Sequence, residues 1–248
     1  MIFGPSTQYT NLNLPIVING IKIQKFDDKC NPKFLGICLD NDLSWKSHIT
    51  QIYKILSKSL YIMNRVKNVF PHNILKTIYY TLFDSYINYG LLLWGNSSQI
   101  NKIFKLQKRA LRIINCKSFR SHTDPLFRKD EILKINDAYQ MQILLFMYDL
   151  KTKSLPKSFN NFAVLNRDIN ARVTRQNNLY HTPRPRTKFS SKLPNHVFPR
   201  LWNEFNDIIS VLNFERRKQF KNSLRKHFIT HYADSVSCTN MFCRDCHS

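Results

Sequence analysis

Glycine and acid are both scarce in this chain: 248 residues hold 5 Gly, and 16 Asp and Glu stand against 38 Lys and Arg. With so few glycines there is no phosphate-cradling loop, no dinucleotide fingerprint and no glycine-flanked nucleophilic serine, so nucleotide-fold and hydrolase readings lack their motifs. Long apolar runs are missing as well. Leu91-Leu92-Leu93-Trp94 falls far short of the roughly 20 residues that cross a bilayer, and no membrane partner is expected. The opening MIFGPSTQYT lacks the basic and apolar regions of a secretory leader. Nothing therefore points to secretion, and the cysteines read as reduced thiols. The shortage of acid leaves a formal charge of +22, which attracts polyanions, with nucleic acid the first candidate.

A hydrophobic content of 43% is enough to build cores. LPIVINGIKI, residues 14–23, places β-branched runs on both sides of Asn19-Gly20, the pair that suits a tight hairpin turn. Phe34 to Leu39 reads as a third short strand, with Gly36 at a bulge or close approach. Asp40-Asn41-Asp42 is turn chemistry, and Ser44 is the expected N-cap of a helix beginning near Trp45. Three strands hardly close a core, so the sheet is expected to have a neighbour before Met1. Beyond it the pattern is helical. Ile49, Ile52, Leu56, Leu60, Met63 and Val66 recur at helical spacing, and Pro71 opens a second helix through Leu75, Ile78, Tyr79 and Leu82. Tyr86 to Trp94 reads as a buried segment, helical or extended. Asn136 or Asp137 is expected to cap a helix through Tyr139, Ile143, Phe146 and Leu150, and a last helix puts Phe220, Leu224 and Phe228 inward. The fold class is mainly α with a small β element.

The helix from Gln99 to about Asn115 carries the sharpest functional signal. Lys102, Lys105, Arg109 and Arg112 recur at steps of three, four and three, with Lys108 beside them, and no acid occurs between Ser85 and His122. Like charges in such contact oppose the helix unless an anion screens them, so phosphate contact is favoured over an ordinary solvated face. Residues 161–199 are basic and rich in Arg, Asn and Pro; Arg184 and Arg186 in Thr182-Pro183-Arg184-Pro185-Arg186 are further phosphate candidates. Tyr79, Tyr80, Tyr86 and Tyr89 could stack on bases, although core packing is their default. At the C-terminus Cys238, Cys243, Cys246 and His247 offer S and N donors of the kind a structural zinc takes. Adjacent Cys246 and His247 are awkward joint ligands, which leaves His231 or His227 as an alternative fourth donor. An oxidation-prone tail is the competing reading.

Several phrases carry a resemblance in shared order. FLGICLDNDLSWKSHI, Phe34 to Ile49, resembles the palm-to-thumb passage of reverse transcriptases from jockey-like non-LTR retrotransposons. MIFGP resembles the palm strand after the catalytic aspartates, YINYGLLLWGNSS and LQKRALRIINC look like thumb helices, and LWNEF with FKNSLRKHF resembles the tail beyond the thumb.

The resemblance implies a palm edge at 1–44, a helical thumb at 45–160, a basic linker at 161–199 and a helical, cysteine-ending tail at 200–248. It also implies a template–primer partner held through Lys and Arg without sequence choice, and the palm and fingers of a parent polymerase as missing neighbours. Polymerase chemistry in the family needs three carboxylates on two metals. Lys25-Phe26-Asp27-Asp28 lacks the intervening residue of the family's aromatic-x-Asp-Asp hairpin and reads as an exposed acidic turn. The chain is therefore expected to lack a catalytic site and a catalytic cofactor. A mis-bounded piece of an active polymerase and a decayed relic are the rival readings.

Overall fold

Two short hairpins open the computed structural model, which describes residues 17–18, 21–22, 32–40, 42–169, 175–187, 189–211 and 216–232. The Asp27-Asp28 turn and the tail with Cys238, Cys243, Cys246 and His247 lie outside the described residues. β1 (Val17–Ile18) and β2 (Ile21–Lys22) pair antiparallel with Ile18 opposite Ile21, and the Asn19-Gly20 pair between them lies outside the described residues. Phe34 to Leu39 is not a single strand. β3 (Lys33–Phe34) folds back on β4 (Ile37–Cys38), because Leu35 and Gly36 take φ of +47° and +79°. Positive φ at both central residues makes a primed hairpin turn, and Gly36 adopts it without steric cost. The Tyr89 hydroxyl donates to the Leu35 carbonyl at 2.5 Å and fastens this hairpin to the helices.

α1 (Lys46–Val66) buries Ile49, Ile52, Leu56, Leu60 and Met63 on one face, as their spacing dictates. Ser44 is not its cap. Asp40 accepts the Ser44 hydroxyl at 3.0 Å and that of Ser47, so both are taken up by the preceding turn, and Trp45 enters the helix at φ +62° with no side-chain cap.

α2 (His72–Tyr79) continues through a π-helical turn, Tyr80–Asp84, into α3 (Ser85–Asn88). The cause lies in the spacing. Leu75, Tyr79, Phe83 and Ile87 recur every four residues, which overshoots an α-helical turn by about 40° each time; a wider turn restores them to one buried face. Ser59 of α1 reaches the Leu82 carbonyl in that turn at 2.9 Å. α4 (Leu91–Trp94) follows a break at extended Tyr89 and left-handed Gly90 (φ +62°), so Tyr86 to Trp94 is two helical pieces and only half interior. Ile87, Leu91 and Trp94 are buried, whereas Tyr86, Tyr89 and Leu93 are exposed.

α5 (Ile100–Ile114) lies along α1 and buries Ile103, Leu106, Ala110 and Ile114. α6 (Asp124–Lys129) leads to α7 (Ile135–Lys151), whose first turn is held by Gln107 rather than by Asn136 or Asp137. Gln107 is buried; its carbonyl accepts the Ile135 N–H at 3.0 Å and its amide donates to the Leu133 carbonyl at 2.9 Å. A partner from another helix thus does the work of a local cap.

α8 (Asn166–Ile169), α9 (Pro194–Glu204), α10 (Asn206–Val211) and α11 (Arg217–Thr230) complete the order. One core lies among α1, α2, α4 and α5, and a second forms where α9 and α11 close on the later part of α7. Phe220, Leu224 and Phe228 face inward. Tyr180, Val197 and Phe198, from the stretch expected to be a linker, also join the second core. They come in isolated pairs, Leu179-Tyr180 and Val197-Phe198, too short for periodicity to place.

Candidate nucleic-acid interface

The face of α1 beside its buried stripe and the cationic face of α5 form the walls of a furrow. One part has a volume of about 630 Å³ and is lined from α1 by Thr50 and Tyr53 and from α5 by Lys102, Lys105, Lys108, Arg109 and Arg112. A second part, about 580 Å³, continues past Tyr61, Asn64 and Lys67 to Cys116 and Lys117. Arg109, Arg112 and Phe119 line both parts, so the two are one groove. No acidic residue lines either part.

The cations are not equivalent. Among the described residues Lys102, Lys105 and Arg109 have no carboxylate partner. Arg112 is anchored: its Nε donates to the Ser121 carbonyl at 2.8 Å and its guanidinium lies 5.9 Å from the Phe119 ring centre. Lys108 leans over the Phe104 ring at 4.5 Å, and burial pulls its ammonium below the usual lysine range, with Lys134 and Arg112 adding repulsion and Asp124 opposing it. Nearby acids are engaged elsewhere. Asp124 pairs with Lys134 at 3.0 Å, and Asp130 takes His72 at 2.8 Å and Asn115 at 2.6 Å. Lys102, Lys105 and Arg109, without a carboxylate partner among the described residues and beside aromatic rings, could together meet an extended anion.

Comparison with known proteins gives a relative by sequence. The chain is 30% identical over 158 residues to the RNA-directed DNA polymerase from mobile element jockey of Drosophila melanogaster. The segment is related to the jockey-like reverse transcriptases. The match covers 60% of this chain and 17% of the relative, so the chain spans under a fifth of that polymerase. No protein-family model and no solved structure matches.

In this jockey-like segment the other residues singled out by sequence fall apart from the groove. Arg184 and Arg186 are exposed on the loop after Tyr180 and do not line it. Tyr79 is fully buried, with its hydroxyl receiving the Gln107 amide at 3.0 Å, Tyr89 bonds to the β3–β4 hairpin, and exposed Tyr86 does not line the groove. The reading of residues missed the α1 wall. Thr50, Tyr53, Ser57, Tyr61 and Asn64 sit at steps of three and four, a polar-aromatic stripe that was visible but overshadowed by Lys54 and Lys58, which do not line the groove. Phe119 lies in the irregular stretch after α5, where no periodicity could place it.

Proposed function

We propose that the chain is the post-catalytic, thumb-like part of a jockey-like reverse transcriptase, and that it holds template–primer nucleic acid without polymerising by itself. The observation that carries this reading is the α5 row of Lys102, Lys105 and Arg109, without a carboxylate partner among the described residues and set in a groove of a segment related to an RNA-directed DNA polymerase. Phosphates recognised this way give affinity and register without sequence choice. In this reading the palm and fingers of a parent polymerase would supply the metals and carboxylates of the reaction. In the same reading Cys238, Cys243, Cys246 and His247 hold a structural zinc, and replacing Cys243 and Cys246 by Ser should release about one zinc per chain.

The decisive experiment is nucleic-acid binding over a range of salt. Affinity should be alike across sequences and fall with salt at a log–log slope of about −0.9 for each phosphate neutralised. Lys102→Glu, Lys105→Glu and Arg109→Glu together should weaken every ligand and flatten that slope. Unchanged binding by this variant would remove α5 from the interface. Primer extension on an RNA template by the wild-type chain, lost in Asp27→Ala/Asp28→Ala, would overturn the non-catalytic assignment.

A further inference from the structure

We infer that the groove between α1 and α5 takes an unpaired strand, with bases laid on Phe119 and Tyr61 and phosphates on the α5 cations. This rests on the nucleic-acid reading above and narrows its ligand. Phosphate contacts alone do not choose between duplex and single strand, but the aromatic lining does. Phe119 is 73% exposed and Tyr61 62%, and both rings line the groove beside the cations. A duplex keeps its base faces stacked inside and would leave both rings uncovered. An unpaired strand presents those faces, and aromatic rings interleaved with cations are the usual platform for it.

The rings are also already prepared for flat partners. Arg65 stacks over Tyr61 at 5.4 Å and donates to its hydroxyl at 3.1 Å, and Arg112 stands 5.9 Å from Phe119. A guanidinium beside each ring places positive charge where the phosphate adjoining a stacked base would lie. Because Arg109, Arg112 and Phe119 belong to both parts of the groove, a strand can pass from the Lys102 end to the Lys117 end without leaving the cationic wall.

The test is fluorescence anisotropy with labelled oligothymidylate, oligouridylate and a duplex of equal length, using the full chain. Wild type should bind the single strands more tightly. Phe119→Ala and Tyr61→Ala should each cost about tenfold on single strands, cost far less on duplex and leave the salt slope intact, since no charge is lost. Phe119→Tyr and Tyr61→Phe, which keep the rings, should retain wild-type affinity. Equal losses on strand and duplex, or no loss on either, would overturn the single-strand assignment while duplex binding left the broader reading standing. Absence of binding to all three ligands by wild type would overturn both.

Discussion

Asp84 shows how far a single residue can depart from what its neighbours in sequence suggest. Set in the π-helical turn, its carboxyl is pushed up to about 6 by burial, against the pull of Arg225 and a hydrogen bond from Asn88. The folded state therefore binds this proton more tightly than the unfolded chain. Its contribution is greatest at low pH and is lost as pH rises from about 4 to about 6. Asp84→Asn should be more stable than wild type at neutral pH, by on the order of 2 kcal/mol, with the difference vanishing near pH 4. Urea midpoints measured across that window check it; a constant difference would show that the charge is not the cause. Gln107 makes a second case. Gln107→Met preserves bulk but strands the Ile135 N–H and the Leu133 carbonyl, and should cost about 2 kcal/mol or more in chemical denaturation. Neither role was legible, because the partners are distant in sequence: 28 residues separate Gln107 from Ile135.

Among the elements, what repeats was legible and what happens once was not. α1 and α5 follow from apolar spacing, and the cationic row on α5 from the same arithmetic. The β3–β4 turn escaped because Leu35, a residue seldom found at positive φ, occupies half of it. Ser44 escaped because a side chain that suits a cap suits an Asp40 turn equally well. Close approach between elements is likewise hidden. A Cβ on Gly95, after α4, would collide with the Tyr139 ring of α7 and meet the Leu91 carbonyl at 2.7 Å, whereas one on Gly36 meets nothing nearer than Tyr89 at 3.9 Å. Gly95→Ala should destabilise by about 2–3 kcal/mol through overpacking, and Gly36→Ala by only about 1 kcal/mol through its left-handed backbone. Thermal unfolding of the two variants decides the order. On α5, Lys105→Glu relieves like-charge contacts with Lys102 and Arg109, so it should leave the free protein as stable or slightly more so while weakening nucleic-acid binding.

At the scale of the whole molecule, α7 belongs to both cores: Ile135 and Ala138 lie in the first and Ile143 to Tyr148 in the second. The end of the chain ties them again. Tyr232, just past α11, is buried in the first core, where its hydroxyl donates to Asp137 at 2.6 Å and accepts the Lys134 N–H at 3.0 Å. The helices after residue 194 should thus unfold together with those before residue 151, in one calorimetric transition. Tyr232→Phe should lower its midpoint without splitting it, since a hydroxyl bond of this kind contributes about 1–2 kcal/mol. Two separate transitions in the wild type would refute the shared helix. Sequence pointed to separate segments here because it shows charge and proline, while the few apolar residues between 161 and 199 acquire meaning only when another helix covers them.

The wide turn at Tyr80–Asp84 has a consequence for insertions and deletions. It acts as a phase shifter, since residues before and after it keep time with two different helical clocks. Removing Thr81 alone would let an ordinary α-helical turn replace the wide one, and Ile87 would then stand at i,i+7 from Tyr79, within about 20° of the same face. Adding a residue there would instead swing everything downstream by about 100° and turn Ile87 out of the core. The stretch should therefore bear the loss of a residue better than the gain of one.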